Sequence, residues 1–173
     1  FLFVINGANL IDGFNGLLAI NLIIINIVLV YINITNGNNQ FSILIIAQII
    51  ILLSFLLFNF PNAKIFLGDS GSYLMGSLIA LNSIITNNLN PNYSSFFFCI
   101  LLFYFFFEVF FSFLRKIIQK KSPVHPDNKH LHMLVYEKIS SIFGKDKSNY
   151  MKSIIINFVY FILVLPALFF AKD

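Results

Sequence analysis

Residues 17–60 read LLAINLIIINIVLVYINITNGNNQFSILIIAQIIILLSFLLFNF and hold no charged side chain. Two apolar runs, 17–34 and 42–60, flank a polar loop at 35–40. A bilayer core about 30 Å thick is crossed by roughly 20 helical residues, so each run predicts a transmembrane helix. The charge-free stretch extends outward to Asp12 on one side and Lys64 on the other. Beyond it, the same reasoning predicts spans at 72–86, 94–114 and 151–171, with Asn87, Pro91 and their neighbours breaking the chain between the third and fourth. The expected fold is all-α, a polytopic transmembrane helical bundle of about five spans. The polar segments 1–16, 61–71 and 115–150 lie outside it.

Composition agrees. Charged residues make up 10% of the chain and hydrophobic residues 58%; a soluble domain carries roughly 25% charged residues to cover its surface. Mean hydropathy is +0.86. These values exclude a water-soluble domain, and nothing in the chain asks for a nucleic-acid partner. The single cysteine, Cys99, excludes an internal disulfide framework and a cysteine-built zinc site. The Phe-rich run at 96–111 reads as lipid-facing bulk. The chain opens on Phe1, which reads as a piece of a longer protein.

Orientation follows from the basic residues. Nine of the eleven Lys and Arg fall between Arg115 and Lys152, and the loops at 35–40 and 87–93 contain none. Basic loops stay on the cytoplasmic side. Three polar segments, far apart in sequence, are therefore expected at one membrane face, carrying Asp12, Asp69, His125, His130 and His132. Two readings compete for the charge of the basic loop: an orientation signal touching anionic lipid, which alone is enough to explain it, or a loop that also collects anionic substrates.

In the first segment, Asn6, Asn9, Asp12 and Asn15 recur every three residues. On a helix such positions share a face, where amides and a carboxylate can bind a sugar, a base or a metal-held phosphate. The bland alternative is a polar cap on the first span. The second segment contains Gly68-Asp69-Ser70-Gly71. Trypsin-type proteases carry a similar string, but their partner His and Asp and their β-barrel have no counterpart here. A better reading puts Asp69 where a helix begins, among backbone N–H groups that favour phosphate. A carboxylate there suits a divalent cation bridging to a diphosphate; the alternative is an ordinary N-cap. In the third segment, His130 and His132 are two apart, a spacing that fits an irregular loop aiming both at one anion, though the spacing alone favours a plain solvated basic loop, and a zinc site lacks further local ligands. Glu108 lies inside the fourth span; such acids usually face a bundle interior or pair with a basic residue.

Taken together, the three segments resemble the polyprenyl-phosphate N-acetylhexosamine-1-phosphate transferases, glycosyltransferase family 4. The likeness is closer to the type that uses UDP-N-acetylglucosamine and undecaprenyl phosphate than to the peptidoglycan translocase. Asn6, Asn9, Asp12, Gly13, Asn15, Gly16 and Leu17 match the first family pattern; Phe66, Gly68, Asp69, Gly71 and Ser72 the second; Pro126, Asp127, His130 and His132 the third. The stretch from Glu108 through Ser112 to Arg115 resembles the helix that leads into the third. Asn15 replaces a second Asp, and Met133 replaces a further His, found in many members. The family's paired-aspartate motif lies upstream of the first match, so the resemblance implies a C-terminal part of the transferase.

The resemblance implies an enzyme in which polyprenyl phosphate attacks the β-phosphate of a UDP-N-acetylhexosamine and UMP leaves, the first membrane step of a cell-envelope glycan such as lipopolysaccharide. It implies Asp12, Asp69, His130 and His132 as catalytic residues, with Asp69 holding Mg²⁺ or Mn²⁺. Asn6, Asn9, Asn15, Gly68, Arg115 and Lys129 are implied as substrate-binding residues. The apolar flank would receive the polyprenyl chain. The location implied is the bacterial inner membrane, embedded in lipid with the active face in the cytoplasm; a homodimer is compatible with it. A transporter segment with polar helix ends and a non-catalytic homologue remain as other readings of the same residues.

The charge asymmetry of the loops makes a topological prediction. Cysteines engineered at Asn38 and Lys145 should be labelled from opposite sides of the membrane in intact cells. Labelling of both from one side would overturn the orientation.

Overall fold

The computed structural model describes residues 1–120, 130–143 and 145–172. They form eight helices: α1 (Leu2–Ile11), α2 (Leu17–Thr35), α3 (Asn39–Asn59), α4 (Gly68–Leu89), α5 (Ser95–Leu101), α6 (Phe103–Ile118), α7 (Leu131–Phe143) and α8 (Lys145–Phe169). Among the described residues there is no strand, only an isolated bridge between Tyr93 and Lys172. The all-α bundle expected from the sequence is the one observed.

Among the described residues three helices are long and apolar enough to cross a membrane: α2, α3 and residues 149–169 of α8. The bent pair α5–α6 adds a fourth if it is counted as one span. The predicted third span falls within α4, which begins four residues earlier, at Gly68. Helix α4 has the length of a span, but its Ser, Asn and Thr residues keep it below the apolarity of the other three. These apolar helices make the chain an integral membrane protein.

Helix α2 is the axis of the bundle and packs against α3, α4 and α8. Its buried face includes Leu18, Leu22, Ile25, Leu29 and Ile32. It also buries Asn21, Asn26 and Asn33, which cannot be left unpaired in an apolar interior. Asn21 donates to Asn157 Oδ1 of α8 at 3.2 Å, and Asn33 donates to Thr86 Oγ1 of α4 at 2.8 Å. Asn82 of α4 spans to Gln48 of α3 at 2.7 Å and lies 3.4 Å from Asn26 Oδ1. Helix α3 turns most of its surface outward, with Ile43, Leu44, Ile50, Leu53 and Leu57 exposed where lipid would lie.

Two findings differ from expectation. The run at 94–114 is broken at Leu102 with a bend of 66°. No Gly or Pro marks the break; instead the Leu101 carbonyl accepts a hydrogen bond from the Tyr160 hydroxyl of α8, and Phe105 N–H turns to Leu102 O at 3.2 Å. The first polar segment is mostly an apolar helix. Val4, Gly7, Ala8 and Ile11 are buried, and α1 packs between α4 and α6.

Glycine permits that insertion. A Cβ on Gly7 would stand 2.8 Å from Phe105 Cα, and one on Gly76 would stand 2.8 Å from Ala8 Cβ. Close backbone approach through small residues is a common way for helices to associate in membranes. Gly7→Ala should therefore lower stability by about 1–3 kcal/mol, the usual cost of overpacking. Gly37, with φ +82° and no atom within 4 Å of its Cβ position, is the control; Gly37→Ala should cost about 1 kcal/mol from backbone strain alone. Thermal unfolding in detergent would rank the two.

Candidate functional site

Helix α1 ends at Ile11, and Asp12 is its C-cap residue, its N–H reaching Asn9 O at 3.3 Å. The helical spacing thus holds for Asn6 and Asn9 and stops at Asp12. Asn15 lies in the turn before α2, so the shared helical face expected for all four residues does not form. The turn is held from three sides. Asn15 N–H donates to Asn149 Oδ1 at 3.1 Å, Asn15 Nδ2 donates to Pro61 O at 2.8 Å, and Gly16 N–H donates to Asn59 Oδ1 at 2.7 Å. Gly16 takes φ +75°, a left-handed conformation, and a Cβ there would strike the Phe60 ring.

Helix α4 supplies the facing carboxylate. Asp69 sits in its first turn, after Gly68 at φ +65°. It is not the N-cap: Leu67 holds that place, with no side-chain cap. Asn9 Nδ2 instead donates to Asp69 Oδ1 and to Ser72 Oγ, both at 3.0 Å. The Ser72 hydroxyl returns to Asp69 O at 3.1 Å. This small network ties the end of α1 to the start of α4. Burial first, and the nearby charge of Asp69 second, push the Asp12 carboxyl up to about 6.

The third segment arrives from the other side. His130 precedes α7 and His132 lies in its first turn, so His132 is helical rather than part of an irregular loop. Their rings still stack, 5.4 Å apart and 6° from parallel. His132 Nε2 lies 3.7 Å from the Cβ position of Gly13, and its ring meets Phe14 edge-on at 5.5 Å. The structure therefore brings Asn9, Asp12, Asp69 and His132 to one end of the bundle, with His130 stacked behind. Asn6 does not join: its side chain is exposed and donates back to Leu2 O at 2.9 Å. Arg115 lies in the last turn of α6 over the Phe111 ring, at 5.7 Å. Lys129 lies outside the described residues, as do His125, Pro126 and Asp127.

Two buried charged residues shape the site without having been picked as site residues. Glu108 is fully buried, accepts from the N–H groups of Leu131 and His132 at 3.2 and 3.3 Å and from the Tyr104 hydroxyl at 3.3 Å, and lies 2.9 Å from His132 Nδ1. An acid inside a span was the signal, but its partners were not legible. Lys152 is also fully buried, its ammonium against the Phe14 ring and 5.0 Å from the Tyr136 ring. In the sequence it stands just inside the predicted span at 151–171, as the last of the nine clustered cations.

Two carboxylates, one of them raised, beside an amide and an imidazole can take up a divalent cation or a phosphate-bearing ligand. Among the described residues no group of three or more His, Cys, Asp or Glu converges on a metal position. Mg²⁺ does not require one, because it is commonly held by one or two carboxylates together with substrate phosphates and water. An apolar groove of about 460 Å³ runs along α6 beside Phe107, Phe110, Phe111, Leu114 and Arg115.

Comparison with known proteins points the same way. Residues 1–87 match the family described as Glycosyl transferase family 4. The chain is 33% identical over 142 residues to an undecaprenyl-phosphate alpha-N-acetylglucosaminyl 1-phosphate transferase of Thermotoga maritima, covering 80% of this chain and 42% of that protein. It is 30% identical over 125 residues to a phospho-N-acetylmuramoyl-pentapeptide-transferase of Clostridioides difficile, covering 70% and 39%. A transferase of that second kind from Leuconostoc mesenteroides is 41% identical over 80 residues, covering 46% and 25%. The chain thus spans about two-fifths or less of the length of these relatives.

The raised Asp12 carboxyl predicts a pH dependence of stability. The folded state binds the Asp12 proton more tightly than the unfolded chain, whose carboxyl titrates near 3.8. Ionising it in place therefore costs stability, progressively between pH 3.8 and about 6 and to a constant extent above. Asp12→Asn removes that cost. In metal-free buffer its Tm should converge on that of the wild type as the pH falls below 3.8 and exceed it above pH 6. Parallel melts across this range check it; an Asn variant that is less stable at pH 7 contradicts it.

Proposed function

Because the chain belongs to glycosyl transferase family 4, we propose that the protein transfers N-acetylhexosamine-1-phosphate from a UDP-sugar to a polyprenyl phosphate. An oxygen of the polyprenyl phosphate bonds to the β-phosphorus of the donor. The bond from that phosphorus to the oxygen bridging to the α-phosphate breaks, and UMP leaves with the bridging oxygen and its electron pair. The products are UMP and a polyprenyl-diphospho-sugar, an opening step of cell-envelope glycan synthesis. The reading sets this chemistry at the cytoplasmic face of a bacterial inner membrane. What supports it most is the meeting of Asn9, Asp12, Asp69 and His132 from three sequence-distant segments at one end of the bundle.

The donor set fits Mg²⁺, with Mn²⁺ as a substitute. The raised Asp12 carboxyl beside Asp69 is an uncompensated negative pair, which a divalent cation would relieve. Asp69 would be the ligand and Asp12 its neighbour. A bound cation would neutralise charge on the diphosphate and on the departing UMP.

The chain's own residues do the rest. Asn9 fixes the orientation of the Asp69 carboxylate through its 3.0 Å hydrogen bond. His132, with His130 behind it, presents ring nitrogen to the diphosphate from the side of Gly13. The reading also gives Arg115, in the last turn of α6, and Lys129 a part in offsetting the negative charge of the diphosphate. Asn15 has its Nδ2 engaged with Pro61 O, so its main contribution is to hold the turn that carries Asp12. The Phe-lined groove along α6 offers the polyprenyl chain an apolar path.

The test is an assay of the full-length protein with polyprenyl phosphate and a UDP-N-acetylhexosamine. UMP should appear, and chelation should stop it. Asp69→Asn keeps size and hydrogen bonding but loses the charge, and turnover should fall by at least about a hundredfold, as when a charge-stabilising group is removed from a transition state. Tm measured alongside should stay near the wild type, because Asp69 caps no helix end through its side chain. Movement of a sugar across the membrane without UMP release would replace this reading with a transporter, and normal turnover of the Asn variant would remove Asp69 from the reaction.

A further inference from the structure

Glu108 lies in α6, among residues that would otherwise suit hydrocarbon, and donors meet both of its oxygens. Oε1 accepts the Tyr104 hydroxyl and the His132 N–H and lies 2.9 Å from His132 Nδ1; Oε2 accepts the Leu131 N–H. His130 Nδ1 stands 4.0 Å from Oε2. The first N–H groups of a helix have no partner within it, and a negative charge there is favoured by the helix dipole. Glu108 of α6 therefore caps α7 from outside, across the space between two helices. An ionised carboxylate only accepts hydrogen bonds. With Glu108 as its partner, His132 Nδ1 must carry a proton.

We propose that Glu108 is a positioning residue: it holds His132 as the Nδ1–H form and aims Nε2 at the turn carrying Asp12. The ring has little freedom to do otherwise. His132 is 2% exposed, Phe14 meets it edge-on, and His130 stacks on its face. The Nε2 atom that remains lies at the Gly13 backbone, where any side chain would come into contact with it. One buried carboxylate thus sets three things at once: where α7 begins, which imidazole nitrogen carries the proton, and which nitrogen faces the site. Glutamine is a poor substitute. Its NH₂ group would face one of these donors, so one hydrogen bond must become a clash of two donors. The effect on turnover rests on the proposed phosphate contact of His132; the orientation of the ring does not.

The experiment reads the ring directly. Full-length protein carrying ¹⁵N-labelled histidine gives a long-range ¹H–¹⁵N spectrum in which the His132 signals are identified by their loss in His132→Gln. The expected wild-type result is a protonated Nδ1, with or without a proton on Nε2. A bare Nδ1 in the wild type overturns the proposal without any variant, so a failure of Glu108→Gln to fold cannot protect it. Glu108→Gln should lose the fixed Nδ1–H signature and lower kcat about ten- to a hundredfold, the effect seen when a histidine loses its orienting partner. The donor KM should move less than kcat. Glu108→Asp, which keeps the charge on a shorter stem, should recover part of both the signature and the rate. A Gln variant with an unchanged histidine spectrum overturns the proposal. A fixed signature that Glu108→Gln destroys, together with normal turnover in His132→Gln, keeps the positioning role and removes the phosphate contact.

Discussion

A polar group sealed among apolar helices must find a partner inside the protein, and most of this structure follows from that constraint. The axis helix α2 carries asparagines at 21, 26 and 33, each buried. Asn21 is answered from α8 by Asn157, and Asn26 and Asn33 from α4 by Asn82 and by Thr86 with Asn90 just past its end, while Asn82 also reaches Gln48 of α3. Apolar surface alone gives membrane helices little reason to choose one neighbour over another, since lipid is as apolar as leucine. The hydrogen bonds supply the choice. They set the rotation of α2 and the neighbours it accepts, and so put the ends of α2, α4 and α8 at the common level where the site is built.

The same constraint explains which parts could be read in advance. Helices α2 and α3 were legible because length and apolarity suffice to define a span. Asn9, Asp12, Asp69 and His132 stood out as polar residues at the ends of apolar runs, and the structure brings those four together. The reading failed where a partner distant in sequence decides the geometry. The break at Leu102 carries no local signal; it rests on a hydroxyl from Tyr160 reaching the Leu101 carbonyl. Asn15 looked like the fourth member of a helical face, yet the helix had already ended and its amide was engaged with Pro61. Lys152 counted only toward the basic cluster that sets orientation, and nothing in the sequence signals that Phe14 and Tyr136 close over it. Spacing reports a shared face only while one helix continues, and it says nothing about which loop covers a side chain.

The short helix α1 shows how backbone packing and chemistry meet. Ten residues are too few to span a bilayer. Wedged by Gly7 against Phe105 and by Gly76 against Ala8, α1 ends within hydrogen-bonding reach of the first turn of α4. Without those glycines the helix axes would separate, and Asn9 could not span to Asp69 and Ser72 together. The glycines are remote from any reacting atom, yet they set the distance on which the carboxylate pair depends.

The three carboxylates around the site differ in how they are satisfied, and the difference separates support from chemistry. Glu108 is enclosed and meets hydrogen-bond donors on both oxygens, so its negative charge is already answered by the protein. Asp69 is exposed and receives one amide hydrogen on Oδ1 from Asn9. Asp12 is half-buried, and burial and its acidic neighbour both oppose its charge. A carboxylate whose charge is fully answered holds structure in place, because it has nothing left to offer a ligand. One whose charge is opposed is held at an energetic cost that an arriving cation or proton would release. The fold therefore spends its internal donors on Glu108 and leaves Asp12 and Asp69 wanting a partner from outside. That division supports a ligand site at the end of α1 and a supporting role for the acid in α6.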